Sequence, residues 1–132
     1  MKRIAIIGGG AYGTALATLC ASNGYDVFVW CYEKDVADCI NRYHTNQNYL
    51  PGIALEEQIH ASSDMHAILT CGASLVIEAV PVKFLRLVLD QAKQSFSRDQ
   101  TWVITSKGIE FDTHLLPTEI IDAVFSYKTN IS

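Results

Sequence analysis

Arg3-Ile4-Ala5-Ile6-Ile7-Gly8-Gly9-Gly10-Ala11-Tyr12-Gly13-Thr14-Ala15-Leu16-Ala17 joins three local signals in one run. The apolar start has the length and content of a strand buried on both faces. Gly8-x-Gly10-x-x-Gly13 then turns the chain. Beyond it Tyr12, Ala15, Leu16, Leu19 and Cys20 recur at helical spacing and are read as the inner face of a helix. A strand, a glycine turn and a helix form the context that a dinucleotide fingerprint requires. Gly8 allows the tight turn, Gly10 lets a pyrophosphate approach the backbone, and Gly13 lets the helix pack closely. The helix start supplies free N–H groups and the positive end of its dipole.

The rest of the chain repeats the alternation. Asn23-Gly24 stops the first helix. Asp26 to Tyr32 reads as a second strand, rich in β-branched and aromatic residues. Glu33 follows 20 positions after Gly13, where a Rossmann domain places the acid that binds the adenosine ribose hydroxyls. Such a carboxylate accepts two hydroxyls and repels a 2′-phosphate, favouring NAD over NADP. The competing reading is a solvated acid at a helix start, since Glu33-Lys34-Asp35 opens the next helix. Tyr32 either lies against an adenine or packs at the strand end. The spacing predicts a helix over 34–43, with Val36, Ala37, Ile40 and Tyr43 inward. The polar stretch His44 to Asn48 and the turn at Pro51-Gly52 make a long connection, either functional or covering.

Gln58 to Ala61 reads as a third strand, and Asp64 as the N-cap of a helix over 65–70 closed by Gly72. Ser74 to Val80 reads as a fourth strand ended by Pro81. Glu78 interrupts its apolar run and either faces the crevice or is a paired core acid. Phe84, Leu85, Val88, Leu89, Ala92 and Phe96 form a helical stripe over 83–96. Thr101 to Ser106 is a fifth strand, broken at Lys107-Gly108. A last helix lies within His114–Phe125, with Pro117 in or near its first turn. Ser126 to Ser132 reads as a tail or the start of something further. Alternating strands and helices imply an α/β fold, a Rossmann-type doubly wound parallel sheet in a single domain over 1–132. Ligands in such sheets sit outside the carboxyl ends of the strands, so the loops after Ile7, Tyr32, Val80 and Ser106 matter most.

The chain has 132 residues with 49% hydrophobic and 18% charged, a globular balance. A net charge of −4 gives no basic footprint, so no nucleic-acid partner is expected. No apolar run reaches membrane-spanning length, and the N-terminus has no signal-peptide pattern. Cys20, Cys31, Cys39 and Cys71 lack metal-type spacing, so no metal is expected; Cys20 and Cys71 read as core thiols, and a reducing cytoplasm is the simplest compartment. His60 and His66 have no partner at ligand spacing and read as surface residues.

The loop sequences together resemble the N-terminal cofactor domain of NAD(P)-dependent glycerol-3-phosphate dehydrogenase. Gly8-Gly9-Gly10-Ala11-Tyr12-Gly13-Thr14-Ala15 resembles that family's GxGxxGTA fingerprint. Trp30-Cys31-Tyr32-Glu33 resembles its second-strand end, and Asn46-Gln47-Asn48-Tyr49-Leu50-Pro51-Gly52 its NxxYLPG loop. Ala79-Val80-Pro81 resembles its VP turn, and Ser106-Lys107-Gly108-Ile109-Glu110 its TKGIE-type segment. The fingerprint is common to many dehydrogenases; the YLPG loop and the lysine–glycine segment, in this order, are more specific. The resemblance implies that Ala11, Tyr12, Tyr32 and Phe84 contact the dinucleotide. It implies that Lys107 contacts both cofactor and glycerol phosphate. Bacterial members often carry a basic residue or histidine at the Tyr32 place and many use NADP. Tyr32 is closer to the aromatic of NAD-linked relatives, so NAD and NADP both stay open.

The resemblance further implies interconversion of glycerol 3-phosphate and dihydroxyacetone phosphate, feeding phospholipid precursor synthesis, and allows a homodimer of the full-length enzyme. The family's helical substrate domain, which carries the catalytic lysine, is not matched by this chain. The sheet is therefore read as incomplete, as an isolated or truncated cofactor domain, inactive alone, with no catalytic residue to name. Two other readings are a non-catalytic NAD(H)-sensing module and a related dehydrogenase of another hydroxy compound.

Overall fold

A computed structural model of the chain describes residues 2–125 and 130–131. Its order is β1 (Arg3–Ile7), α1 (Ala11–Ser22), β2 (Asp26–Trp30), α2 (Lys34–Tyr43), β3 (Ile59–Ser62), α3 (Met65–Leu69), β4 (Leu75–Glu78), α4 (Val82–Ala92), β5 (Thr101–Ile104), α5 (Pro117–Phe125) and β6 (Asn130–Ile131). The strands form one six-stranded sheet in the order β3-β2-β1-β4-β5-β6. Every pairing is parallel, with Ile7 opposite both Trp30 and Glu78. β6 adds a strand within the segment read as a tail; residues 126–129 and 132 of that segment lie outside the described residues.

The sheet is covered on both faces, as its apolar strands require. Alternation in β1 sends Ile4 and Ile6 to one side and Ala5 and Ile7 to the other. Ile4 and Ile6 join Val27, Val29, Ala17, Ala21, Val36 and Ile40 beneath α1 and α2. Ala5 and Ile7 join Val76, Trp102, Leu85, Leu89, Ile120 and Ile121 beneath α3, α4 and α5. The chain thus winds outward from β1 on one face and from β4 on the other. The two halves part between β1 and β4, and that junction is the switch point where a ligand crevice is expected.

The inner face of α1 differs from the one read in the sequence. Gly13, Thr14, Ala17 and Ala21 are buried, whereas Tyr12 and Leu19 are each 59% exposed. Leu16 and Cys20 only flank the core. The reason is the closeness of the helix to the glycine turn: a Cβ on Gly13 would lie 1.8 Å from Gly8 O, so small residues must face inward. On α2, Val36, Ala37 and Ile40 are buried as expected, but Tyr43 is 63% exposed. Cys20 and Cys71 are half-buried, so the core thiol is instead Cys31. Asp64 caps α3, its carboxylate accepting from His66 N–H at 3.0 Å. His60 packs on Phe28 with ring centroids 5.0 Å apart, and His66 bonds Ser95 Oγ at 2.9 Å. No helix among the described residues is long and apolar enough to cross a membrane.

Candidate functional site

A crevice of about 450 Å³ opens at the carboxyl ends of β1, β2 and β4. Its floor is Gly8, Gly9 and Gly10, one wall is Trp30 to Glu33 with Tyr49, and the other is Ala79 to Pro81 with Phe84. The floor is shaped by backbone. Gly8 has φ +129°, and a Cβ there would meet Ala79 O at 2.7 Å, so this turn requires glycine. A Cβ on Gly9 would strike Cys31 Sγ at 2.4 Å. Gly10 is the contrast: apart from its own backbone and chain neighbours, no protein atom lies within 4 Å of where its Cβ would be. That space faces the start of α1, a helix of 12 residues with no side-chain cap and no acid in its first turn. Thr14 N–H is the first to reach an intrahelical carbonyl, Gly10 O at 3.0 Å. The earlier amides point off the helix end, and with the dipole they suit an anion.

Asn46 fixes the floor from outside the fingerprint. Buried, its side-chain NH2 donates to Gly9 O and to Thr14 Oγ1, both at 2.9 Å. Its Oδ1 accepts from Tyr49 N–H at 3.2 Å, and Leu50 N–H returns to Asn46 O at 2.8 Å. The turn so formed carries Tyr49 to the crevice wall, where its hydroxyl donates to Glu33 Oε1. That bond, with the negative carboxylate beside it, raises the phenol above its ordinary value. Neither Asn46 nor Tyr49 was a candidate in the sequence beyond their place in the loop. The available signal was a polar Asn-x-x-Tyr in a long connection.

Glu33 is also the N-cap residue of α2, without a side-chain bond to its own helix. Tyr32, 69% exposed, meets Trp30 edge-on with centroids 6.3 Å apart. Phe84 is half-exposed, with the Lys83 ammonium 5.0 Å from its ring centre. Cys31, under the floor, is pushed up to about 12 by burial and by the Glu33 charge.

Glu78 is the paired core acid of the two alternatives. It is fully buried at the end of β4. Val80 N–H donates to its Oε1 at 2.6 Å, and Ser106 Oγ lies 2.5 Å from the same oxygen. Ser106 Oγ also contacts Val80 O, and Thr105 donates from N–H and Oγ1 to Glu78 O. Burial outweighs these hydrogen bonds and raises the carboxyl above its ordinary value. Glu78 therefore ties the loop after β4 to the loop after β5.

The structure thus gathers Gly8, Gly9, Gly10, Tyr32, Glu33 and Phe84 around one crevice. Ala11 and Tyr12 stand exposed at the helix start beside it, and Gly13 is buried behind. Lys107 is exposed and follows β5 on the same rim, outside the crevice lining. Its loop is held by Arg86 of α4, whose guanidinium grips Glu110 through Nε at 3.0 Å and Nη2 at 2.9 Å. Among the described residues no group of three His, Cys, Asp or Glu side chains could hold a metal ion.

Residues 3–132 match the family described as NAD-dependent glycerol-3-phosphate dehydrogenase N-terminus. The chain is 40% identical over 121 residues to a glycerol-3-phosphate dehydrogenase [NAD(P)+] of Bacillus licheniformis, covering 92% of this chain and 35% of that protein. It is 41% identical over 122 residues to the protein of that name in Anaeromyxobacter sp. (strain K), covering 92% and 36%. The chain therefore spans about a third of the length of the curated relatives it matches. The crystal structure of glycerol-3-phosphate dehydrogenase from Coxiella burnetii superposes with a TM-score of 0.87 at 28% identity, covering 96% of this chain and 38% of that one. A ketopantoate reductase from Ralstonia eutropha shares the fold at a TM-score of 0.73 and 17% identity, covering 96% and 39%.

Proposed function

Because the chain belongs to the family of NAD-dependent glycerol-3-phosphate dehydrogenase N-terminal domains, we propose that its crevice holds NAD or NADP for an oxidoreductase interconverting glycerol 3-phosphate and dihydroxyacetone phosphate. The observation that carries this is the bare space over Gly10 at an uncapped helix start, on the switch point of the sheet. A pyrophosphate fits there, with the amides of Ala11, Tyr12 and Gly13 as donors and Gly8 and Gly9 shaping the turn. Tyr32 and Glu33 take the adenosine end, and Phe84 shields the crevice on the opposite wall. Lys107 extends from the same rim to a cofactor or substrate phosphate, a task suited to a flexible ammonium. When bound, the nicotinamide supplies the hydride chemistry.

In this reading the chain's residues bind and orient the dinucleotide, and the 132-residue chain by itself binds cofactor without turnover. In the whole protein we assign a role in phospholipid precursor supply and a homodimer. Four free thiols favour a reducing compartment, here the cytoplasm. Calorimetric titration of the 132-residue chain with NADH and with NADPH tests the reading. Saturable one-to-one binding of at least one supports it, and heat of dilution alone with both overturns it.

A further inference from the structure

The loop that brings Tyr49 to Glu33 gives the adenosine end of the crevice a chemical polarity. Tyr49 has one proton, and it is committed to Glu33 Oε1. What the pair still offers is Glu33 Oε2 and the lone pairs of the phenolic oxygen, all acceptors. The remaining lining adds no cation, since neither Lys nor Arg is among its residues. The cation nearest in sequence, Lys34, has its ammonium 2.7 Å from Asp38 Oδ2. An acceptor-only pair with a negative charge suits a ligand that brings two adjacent hydroxyl donors. It opposes a phosphate, which brings acceptors and like charge.

Resting on the dinucleotide reading above, we propose that Tyr49 is a specificity-determining positioning residue: with Asn46 anchoring its loop to Gly9, it holds the Glu33 carboxylate and joins it in reading a ribose 2′,3′-diol, so that the site takes NAD(H) and rejects the 2′-phosphorylated cofactor. The anchoring makes this a built site. Asn46 is 1% exposed and bonds the glycine turn and Tyr49 N–H together, so the phenol and the pyrophosphate floor are placed by one side chain. Freed from Tyr49, the carboxylate can swing away on its half-exposed side chain, and the diol loses both an acceptor and a fixed partner.

The test is titration of the wild-type chain and the Tyr49→Phe variant with NADH and NADPH. The wild type binds NADH more tightly than NADPH. The variant loses about tenfold or more in NADH affinity, the order expected for a hydrogen bond to a charged group, and changes little toward NADPH, so the preference narrows. A merely structural role for Tyr49 weakens both cofactors by the same factor and leaves their ratio intact; that result overturns this inference and spares the dinucleotide reading. Wild-type preference for NADPH also overturns it. Absence of binding to either cofactor overturns both.

Discussion

Replacing Glu78 separates two ways a buried carboxyl can serve a fold. Ser106 Oγ contacts both Glu78 Oε1 and Val80 O, yet it has one proton. The donor count closes when Glu78 is neutral: its own O–H serves Ser106 Oγ, Ser106 O–H serves Val80 O, and Val80 N–H serves Glu78 Oε1. Glu78→Gln keeps the volume, but its NH2 must face a donor, Val80 N–H at the Oε1 place or Ser106 N–H at the Oε2 place, so it is expected to lose about 1–3 kcal/mol, less than the alanine variant. Glu78→Ala orphans the buried Val80 N–H, at about 1–3 kcal/mol. It also empties the volume of one of the larger fully buried side chains, at about 2–5 kcal/mol by analogy with large-to-small core changes. A loss near 4 kcal/mol would remove much of a typical domain's stability.

The pH dependence has a definite sign. A folded-state value raised by burial means that the native chain holds its proton more tightly than the unfolded one. The contribution is complete below the unfolded carboxyl value of 4.5 and is lost as pH rises through the raised native value. Urea unfolding followed by circular dichroism, from pH 4.5 upward, should therefore show wild type falling relative to Glu78→Gln. A difference between wild type and Gln that is flat with pH would refute the neutral acid.

Gly10→Ala should leave the urea midpoint almost unchanged, since no atom meets the new methyl and φ is −76°, yet abolish calorimetric binding of NADH. Gly13→Ala should instead cost roughly 3 kcal/mol in the same unfolding assay, because its methyl collides with the Gly8 carbonyl. Arg86→Ala should raise amide hydrogen exchange across 107–113 while α4 stays protected. Arg86 lowers the Glu110 carboxyl, so acidification should release the same loop in wild type as pH falls below 4.5 through the depressed value. Cys31, buried and pushed up to about 12, should resist iodoacetamide at pH 8 until urea unfolds the chain, whereas the half-buried Cys20, Cys39 and Cys71 react earlier; mass mapping of the adducts decides this.

The parallel, doubly covered sheet could be anticipated because local signals and global topology agree: runs such as Ile4 to Ile7 and Val76-Ile77 are apolar on both faces, and that pattern suits a sheet covered twice. Periodicity served α2 well, where the large apolar residues are also the inner ones. It misled on α1, because a search for large residues overlooks a face made of Gly13, Ala17 and Ala21, selected for closeness rather than bulk. The floor glycines were legible because each backbone requirement is local. Asn46 and Tyr49 were not, since the bonds that give them meaning reach 37 and 16 positions along the chain, to Gly9 and Glu33. Glu78 stood between two readings until Ser106, 28 positions away, was seen to be its partner. Residues that act through long-range pairing leave no periodic trace.

The chain has two tryptophans, and the fold gives them different views. Trp30 lines the crevice, its indole N–H donating to Ser63 O at 3.1 Å. Trp102 is sealed in the core against Phe96 and Phe125, with ring centroids 6.0 and 5.7 Å away. The molecule is thus wired with two optical probes. Emission from Trp30 should respond to whatever enters the crevice, by quenching or by energy transfer to an absorbing ring, while Trp102 stays dark to ligand and brightens or shifts only when the core opens. A Trp102→Phe chain would leave Trp30 as the one tryptophan, so that under conditions where the fold is intact its emission reports occupancy alone.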